Sequence, residues 1–269
     1  KIRFGSENEI SFDVNKKLKI NNLNIKSNID IDELTVKNNF INLKSYLPDL
    51  DEVINLEKHK IVINYSKDKI DIKGEGKILI KNNFDFINYQ ILKINNKFIF
   101  DTKINLKNNK LLIDFLNYEK KENLDALIFV KGNINDNKEI NLNSVSLVEN
   151  DNKISFKNLS LNKNFKIISL DSFNFDYLNS KKIKNQLLLK KNNSNYMIEG
   201  ESFDATELIN GIMDSNEESP SLFDNFNSKI KIKIKKTFID EVYFTNDLSG
   251  VLSFKNNKID NLDLKSIFP

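Results

Sequence analysis

The feature that most constrains the fold of this chain is an alternation of apolar and polar residues, broken by Asn-rich turns, that runs almost from end to end. Its cleanest stretch is Lys229-Ile230-Lys231-Ile232-Lys233-Ile234-Lys235. A side-chain period of two sets its three isoleucines on one face of a strand and its four lysines on the other. Few segments read as helix, so the apolar face has to be covered by a second sheet, a protein partner or a lipid.

Strand candidates recur at intervals of roughly 10 to 17 residues, the spacing of an antiparallel meander. They include Ile61-Val62-Ile63, Ile70-Asp71-Ile72, Ile78-Leu79-Ile80, Phe98-Ile99-Phe100, Ile154-Ser155-Phe156 and Leu187-Leu188-Leu189. Turns are expected at Asn21-Asn22, Asn38-Asn39, Asn82-Asn83, Asn95-Asn96, Asn108-Asn109, Asp151-Asn152, Asn192-Asn193 and Asn256-Asn257, because Asn tolerates the left-handed backbone of tight hairpins. At roughly 15 residues per strand and turn, the chain should form on the order of 15 to 18 strands. The only alanines, Ala126 and Ala205, add little helix propensity. An AT-rich coding sequence also enriches Lys, Asn and Ile, so the order of these residues carries more weight than their number.

Two segments read as helix. Pro48 to Leu56 places Leu50, Val53 and Ile54 at helical spacing behind a proline suited to a first turn. Asp204 followed by Glu207 resembles a capping box ahead of an apolar stripe of Leu208, Ile209, Ile212 and Met213. The acidic, Ser-rich stretch from Asp214 to Ser221 then reads as a loop. So many strands cannot stay flat and open. The expected fold is all-β: a long curled antiparallel sheet forming a groove, with one or two short helices. Residues 1–199 would form the repeating groove region, and residues 200–269 a short helix followed by strands of the same sheet.

Composition removes several function classes. With 39% hydrophobic and 29% charged residues in 269, the chain is too apolar for a disordered tail. Lys+Arg at 41 and Asp+Glu at 38 are interspersed, which argues against a nucleic-acid surface. The absence of Cys excludes disulfides, thiolate metal sites and Cys nucleophiles. No run of about 18 apolar residues exists, and Lys1-Ile2-Arg3-Phe4-Gly5 lacks the apolar core of a signal peptide. The chain reads as a segment whose export signal or membrane anchor would lie outside it.

Catalytic machinery is scarce. The single histidine, His59, sits between Lys58 and Lys60 and reads as a solvated side chain at a strand entrance. Without a second His or any Cys, zinc sites and Ser-His-Asp arrangements lose their support. Asp51-Glu52 and Glu217-Glu218 are adjacent acids that point apart, unlike the convergent pair a glycosidase needs. Gly74-Glu75-Gly76 lacks the third glycine and the helix start of a phosphate loop, and reads as a hairpin turn. The lysines from Lys229 to Lys235 could meet an anionic membrane surface, although a solvated strand face explains them more simply. No catalytic residue, metal ligand or cofactor is expected.

One stretch carries a family resemblance. Gly200-Glu201-Ser202-Phe203-Asp204-Ala205 leads into the short helix, then into strands that include the step Leu248-Ser249-Gly250-Val251-Leu252. This resembles the C-terminal region of AsmA-like proteins of the YhdP and TamB group. The stretch from about Tyr46 to Tyr196, opened by Leu43 to Pro48, is similar to the region that precedes it in those proteins. The resemblance implies a bridge-like carrier, anchored in the inner membrane by a helix outside this chain. Its periplasmic sheet would shield the acyl chains of phospholipid moving between inner and outer membranes.

Elementary energetics fit that expectation. Two acyl chains of about 15 methylenes exposed to water would cost on the order of 24 kcal/mol, so a route across water needs a continuous apolar lining. At roughly 4.8 Å per strand, 15 strands would extend such a lining by about 70 Å. The residues expected to line it are Ile70, Ile72, Ile78, Ile80, Phe98, Phe100, Ile104, Leu106, Ile230, Ile232 and Ile234. The competing reading is a structural or adhesive β-solenoid or sandwich whose apolar faces pack on one another without ligand. A carbohydrate-active enzyme on a β-scaffold is the weakest alternative.

Overall fold

Alternation of β-branched and polar residues becomes strand almost everywhere. The computed structural model describes residues 2–37, 44, 46–50, 53–80, 83–135, 139–213, 225–240 and 242–269. The protein is all-β and mostly antiparallel, as the pattern predicts, with eighteen strands and one α-helix among the described residues. The first nine strands are β1 (Ile2–Val14), β2 (Ile20–Lys37), β3 (Val53–Ser66), β4 (Lys69–Ile80), β5 (Asn83–Ile94), β6 (Lys97–Leu106), β7 (Leu111–Ile113), β8 (Tyr118–Lys120) and β9 (Ala126–Ile134). The rest are β10 (Ile140–Glu149), β11 (Asn152–Leu161), β12 (Ile167–Ser169), β13 (Ser172–Leu178), β14 (Lys184–Asn192), β15 (Asn195–Asp204), β16 (Ser228–Phe238), β17 (Phe244–Lys255) and β18 (Lys258–Ile267). The helix, α1, spans Thr206–Met213.

The chain divides into two compact units: Lys1–Leu111 with Lys120–Asn137, and Leu112–Glu119 with Lys138–Pro269. In the first, strands pair in the order β1-β2-β3-β4-β5-β6-β9, all antiparallel. In the second, the order is β10-β11-β13-β14-β15-β16-β17-β18, with β12 attached to β11 alone. Here every pair is antiparallel except β15 with β16, which run parallel. A parallel neighbour cannot be reached by a tight hairpin, and the stretch from residue 205 to 227, which holds α1, makes the return.

Asparagine supplies the turns for the expected reason. Asn95, Asn150 and Asn193 adopt positive φ between their strands, and Asn256 and Asn257 both do so between β17 and β18. Positive φ at both central residues is what a two-residue hairpin with the strands' own twist requires. Asn22 also has positive φ, but it sits inside β2, and the β1–β2 turn is made around Leu18 instead. Asn38-Asn39 and Asn82 lie outside the described residues.

Three local expectations are corrected. The helix expected over Pro48 to Leu56 does not form, because Val53 to Leu56 open β3, with Ile54 opposite Val36 of β2. Val and Ile lose side-chain freedom in a helix, and two flanking strands outweigh the weak proline signal. Asp51 and Glu52 lie outside the described residues, as do Glu217-Glu218 and the expected loop from Asp214 to Ser221. Gly74-Glu75-Gly76 is no hairpin turn; it lies in the middle of β4. At α1, Asp204 is the last residue of β15 rather than the cap itself. Its Oδ1 accepts from the Thr206 N–H at 3.1 Å and from the Thr206 hydroxyl at 2.5 Å, while the Ala205 carbonyl accepts the first helical bond from Ile209.

Candidate functional site: the apolar face of each unit

Antiparallel register places directly paired residues on the same face, so the pairings trace rows of side chains across each unit. In the first unit one row runs Ile10, Ile25, Tyr65, Ile70, Lys93, Phe98, Ile134. The next runs Asn8, Ser27, Ile63, Ile72, Ile91, Phe100, Gly132. In the second unit a row crosses eight strands as Val145, Phe156, Phe173, Leu189, Ile198, Ile232, Gly250, Leu264. Polar pairs lie on the reverse faces, among apolar residues such as Phe86 and Leu92 of β5. Gln90 donates to Asp71 at 2.9 Å, Lys131 pairs with Asp101 at 2.7 Å, and Lys235 pairs with Glu201 at 2.7 Å.

All eleven residues expected from the sequence lie on these faces. In the first unit, Ile70, Ile72, Ile78 and Ile80 of β4 and Phe98, Phe100, Ile104 and Leu106 of β6 share one side. In the second, Ile230, Ile232 and Ile234 share one side, and the lysines between them are exposed on the other. Access to solvent varies along these faces. Ile80, Leu106 and Ile234 are buried within the protein. Ile230 packs against a cluster of Leu170, Leu189 and Tyr196. Ile70, Ile72, Ile78, Phe100, Ile104 and Ile232 are half-buried, and Phe98 is 41% exposed. An open depression of about 460 Å³ lies on the first unit's face, lined by Ile87, Tyr89, Ile91, Phe98, Phe100, Thr102 and Ile134.

The β5 contribution was not legible in the sequence. Its inward set is Asp85, Ile87, Tyr89, Ile91 and Lys93, but Phe84, Phe86, Leu92 and Ile94 occupy the other face. With apolar residues on both sides, the period of two disappears. Phe156, Phe173 and Phe175 in the second unit share the apolar face, although they were not among the residues expected to line it.

His59 is corrected most sharply. It is 1% exposed rather than solvated, and it sits at a β-bulge where Lys58 adopts positive φ and the β3–β4 register slips by one residue. Gly76 makes room for it: a Cβ there would stand 2.6 Å from the His59 Cα. Gly74 likewise lies beneath the Tyr89 ring, and the His59 and Tyr89 rings sit 5.6 Å apart. The Gly-x-Gly therefore lets two rings, one from each neighbouring strand, lie flat across β4. Burial pushes the His59 pKa below its ordinary value, against the opposing influence of the Lys77 backbone and the Glu75 carboxylate. Neither ring nitrogen has a hydrogen-bond partner, so the neutral imidazole is the form that fits.

Buried polar groups elsewhere are tied into structure. Asp85 accepts from the Lys107 and Asn108 N–H groups at 2.8 Å each and from the Asn109 side chain at 2.7 Å. The fully buried Lys120 ammonium donates to the Lys107 and Asn109 carbonyls at 2.7 Å. In the second unit Tyr118 donates to Glu149 at 2.5 Å, and Tyr177 donates to the Leu116 carbonyl at 2.8 Å. Burial raises the pKa of both phenols, with the bond to Glu149 adding to the effect at Tyr118, so they remain donors. Tyr177 thereby pins a 3-10 turn at Asp114–Leu116, against which α1 packs.

Among the described residues no His, Cys, Asp and Glu side chains gather as a metal site, and no helix is long and apolar enough to cross a membrane. No model of a known protein family, no curated protein and no solved structure matches this chain.

Proposed function

We propose that this chain is a non-enzymatic, lipid-conducting segment of an AsmA-like bridge protein, located in the periplasm and anchored in the inner membrane by parts of the parent chain outside it. Its apolar faces shield phospholipid acyl chains on the way between inner and outer membranes. The observation that carries this reading is the pair of rows that stays mostly apolar across β3, β4, β5, β6 and β9 of the first unit with side chains still open to solvent, as at Phe98 and Phe100. Keeping such a face in water is costly at about 25 cal/mol per Å², and acyl chains remove that cost without a second protein layer.

The burial of Ile80, Leu106 and Ile234 by protein favours the rival reading, a structural β-protein without ligand, at those three positions. Photo-crosslinking amino acids at Ile72 and Ile232 separate the two. Covalent phospholipid adducts at both positions, together with phospholipid retained in native mass spectrometry, are the expected result. Purified protein free of lipid, with no adduct at either position, would leave the structural reading in place.

A further inference from the structure

Across β4, β5, β6 and β9, the apolar face of the first unit carries two charged residues in register, Asp85 and Lys93. Asp85 is buried and engaged with the Lys107, Asn108 and Asn109 donors. Lys93 is different. It stands between Ile70 and Phe98, half-buried, with its ammonium 5.5 Å from the Phe98 ring centroid. No carboxylate pairs with it among the described residues. Phe98 is also a wall of the depression of about 460 Å³, which places an unpaired cation at the margin of an apolar hollow.

We propose that this hollow binds a single acyl chain ending in a carboxylate, a long-chain fatty acid, with Lys93 pairing the headgroup. The assignment rests on the lipid reading above and deepens it by naming a headgroup charge. Ile91, Phe100 and Ile134 supply the apolar lining for the chain, whose volume requirement falls within the range of small-ligand sites. A half-buried lysine set between Ile70 and Phe98 can lay its stem along apolar surface and keep its head in water, the arrangement that lets one side chain serve both halves of an amphiphile. The complementary charge for a lone ammonium is an anion, and the hollow accommodates the tail.

The test uses the whole chain and two photoactivatable probes of equal length, a fatty acid and its methyl ester, with labelled peptides mapped by mass spectrometry. The acid should label the segment around Phe98 and Phe100 roughly 5- to 10-fold more than the ester. Lys93→Gln should remove that difference and Lys93→Arg should keep it, both with unchanged circular dichroism. Equal labelling by acid and ester, labelling confined to other segments, or Lys93→Gln labelled like the parent chain overturns the role of Lys93 while the lipid reading stands. Labelling by neither probe at any position, with no phospholipid adducts at Ile72 and Ile232, overturns both.

Discussion

His59 shows how much a single side chain can differ from its sequence context. Two flanking lysines suggest a wet position, yet the bulge at Lys58 turns the imbalance of charge outward and the ring inward over Gly76. The stability consequence follows from linkage. The His59 pKa is lowered in the folded state, so below the unfolded value of 6.5 the unfolded chain binds more protons than the native one. Stability is therefore fully present above pH 6.5 and declines as pH falls through the folded-state pKa. Urea midpoints across this acidic window should drop in the parent chain, and His59→Phe should flatten the part of that slope which belongs to the imidazole. An identical slope in the two proteins would mean that carboxylates alone govern it.

At the level of elements, the two glycines of β4 give a contrast that separates side-chain crowding from backbone crowding. The three atoms nearest a Cβ at Gly74 all belong to the Tyr89 side chain, whereas a Cβ at Gly76 meets the His59 Cα at 2.6 Å as well as the His59 ring at 2.5 Å. Gly74→Ala should cost about 1–3 kcal/mol in chemical denaturation, and most of that loss should vanish in a Tyr89→Ala background. Gly76→Ala should be destabilising to a similar extent but should not be rescued by His59→Ala. The same strand marks the limit of what sequence could tell. Its outer isoleucines were legible because Ile70, Ile72, Ile78 and Ile80 alternate with polar residues. The glycines were read as a turn because glycine signals flexibility locally, and nothing local announces a ring arriving from the next strand. The helix expected at Pro48 to Leu56 failed likewise, since Val53 and Ile54 fit either periodicity over so short a run and the pairing with β2 decided.

On the scale of the whole molecule, each strand finds most of its partners in its immediate neighbours, so stability should be graded rather than uniform. Amide hydrogen exchange should be slowest in the middle strands of each unit. It should quicken toward β1 in the first and toward β18 in the second, strands whose residues are exposed almost throughout. Strong protection of β1 in the isolated chain would contradict this ordering. All-β class, and the common side of the expected residues within each unit taken by itself, were legible because side-chain alternation survives any topology. The division into two units was not, since it rests on contacts between residues distant in sequence, which group 112–119 with 138–269 rather than with their chain neighbours.

The parallel pairing of β15 and β16 has a consequence of its own. Lys229 to Lys235 reads identically forward and backward, so β16 would present isoleucine to Tyr196, Ile198 and Gly200 whichever way it ran. The strand is indifferent to its own orientation. Its heading is dictated by what precedes it: the Asp204–Thr206 bond that starts α1 and the long return after it. Replacing that return with a two-residue hairpin would preserve a greasy side and a charged side while inverting the last three strands, so the protein's sense of direction is stored in its connection and not in its most regular segment.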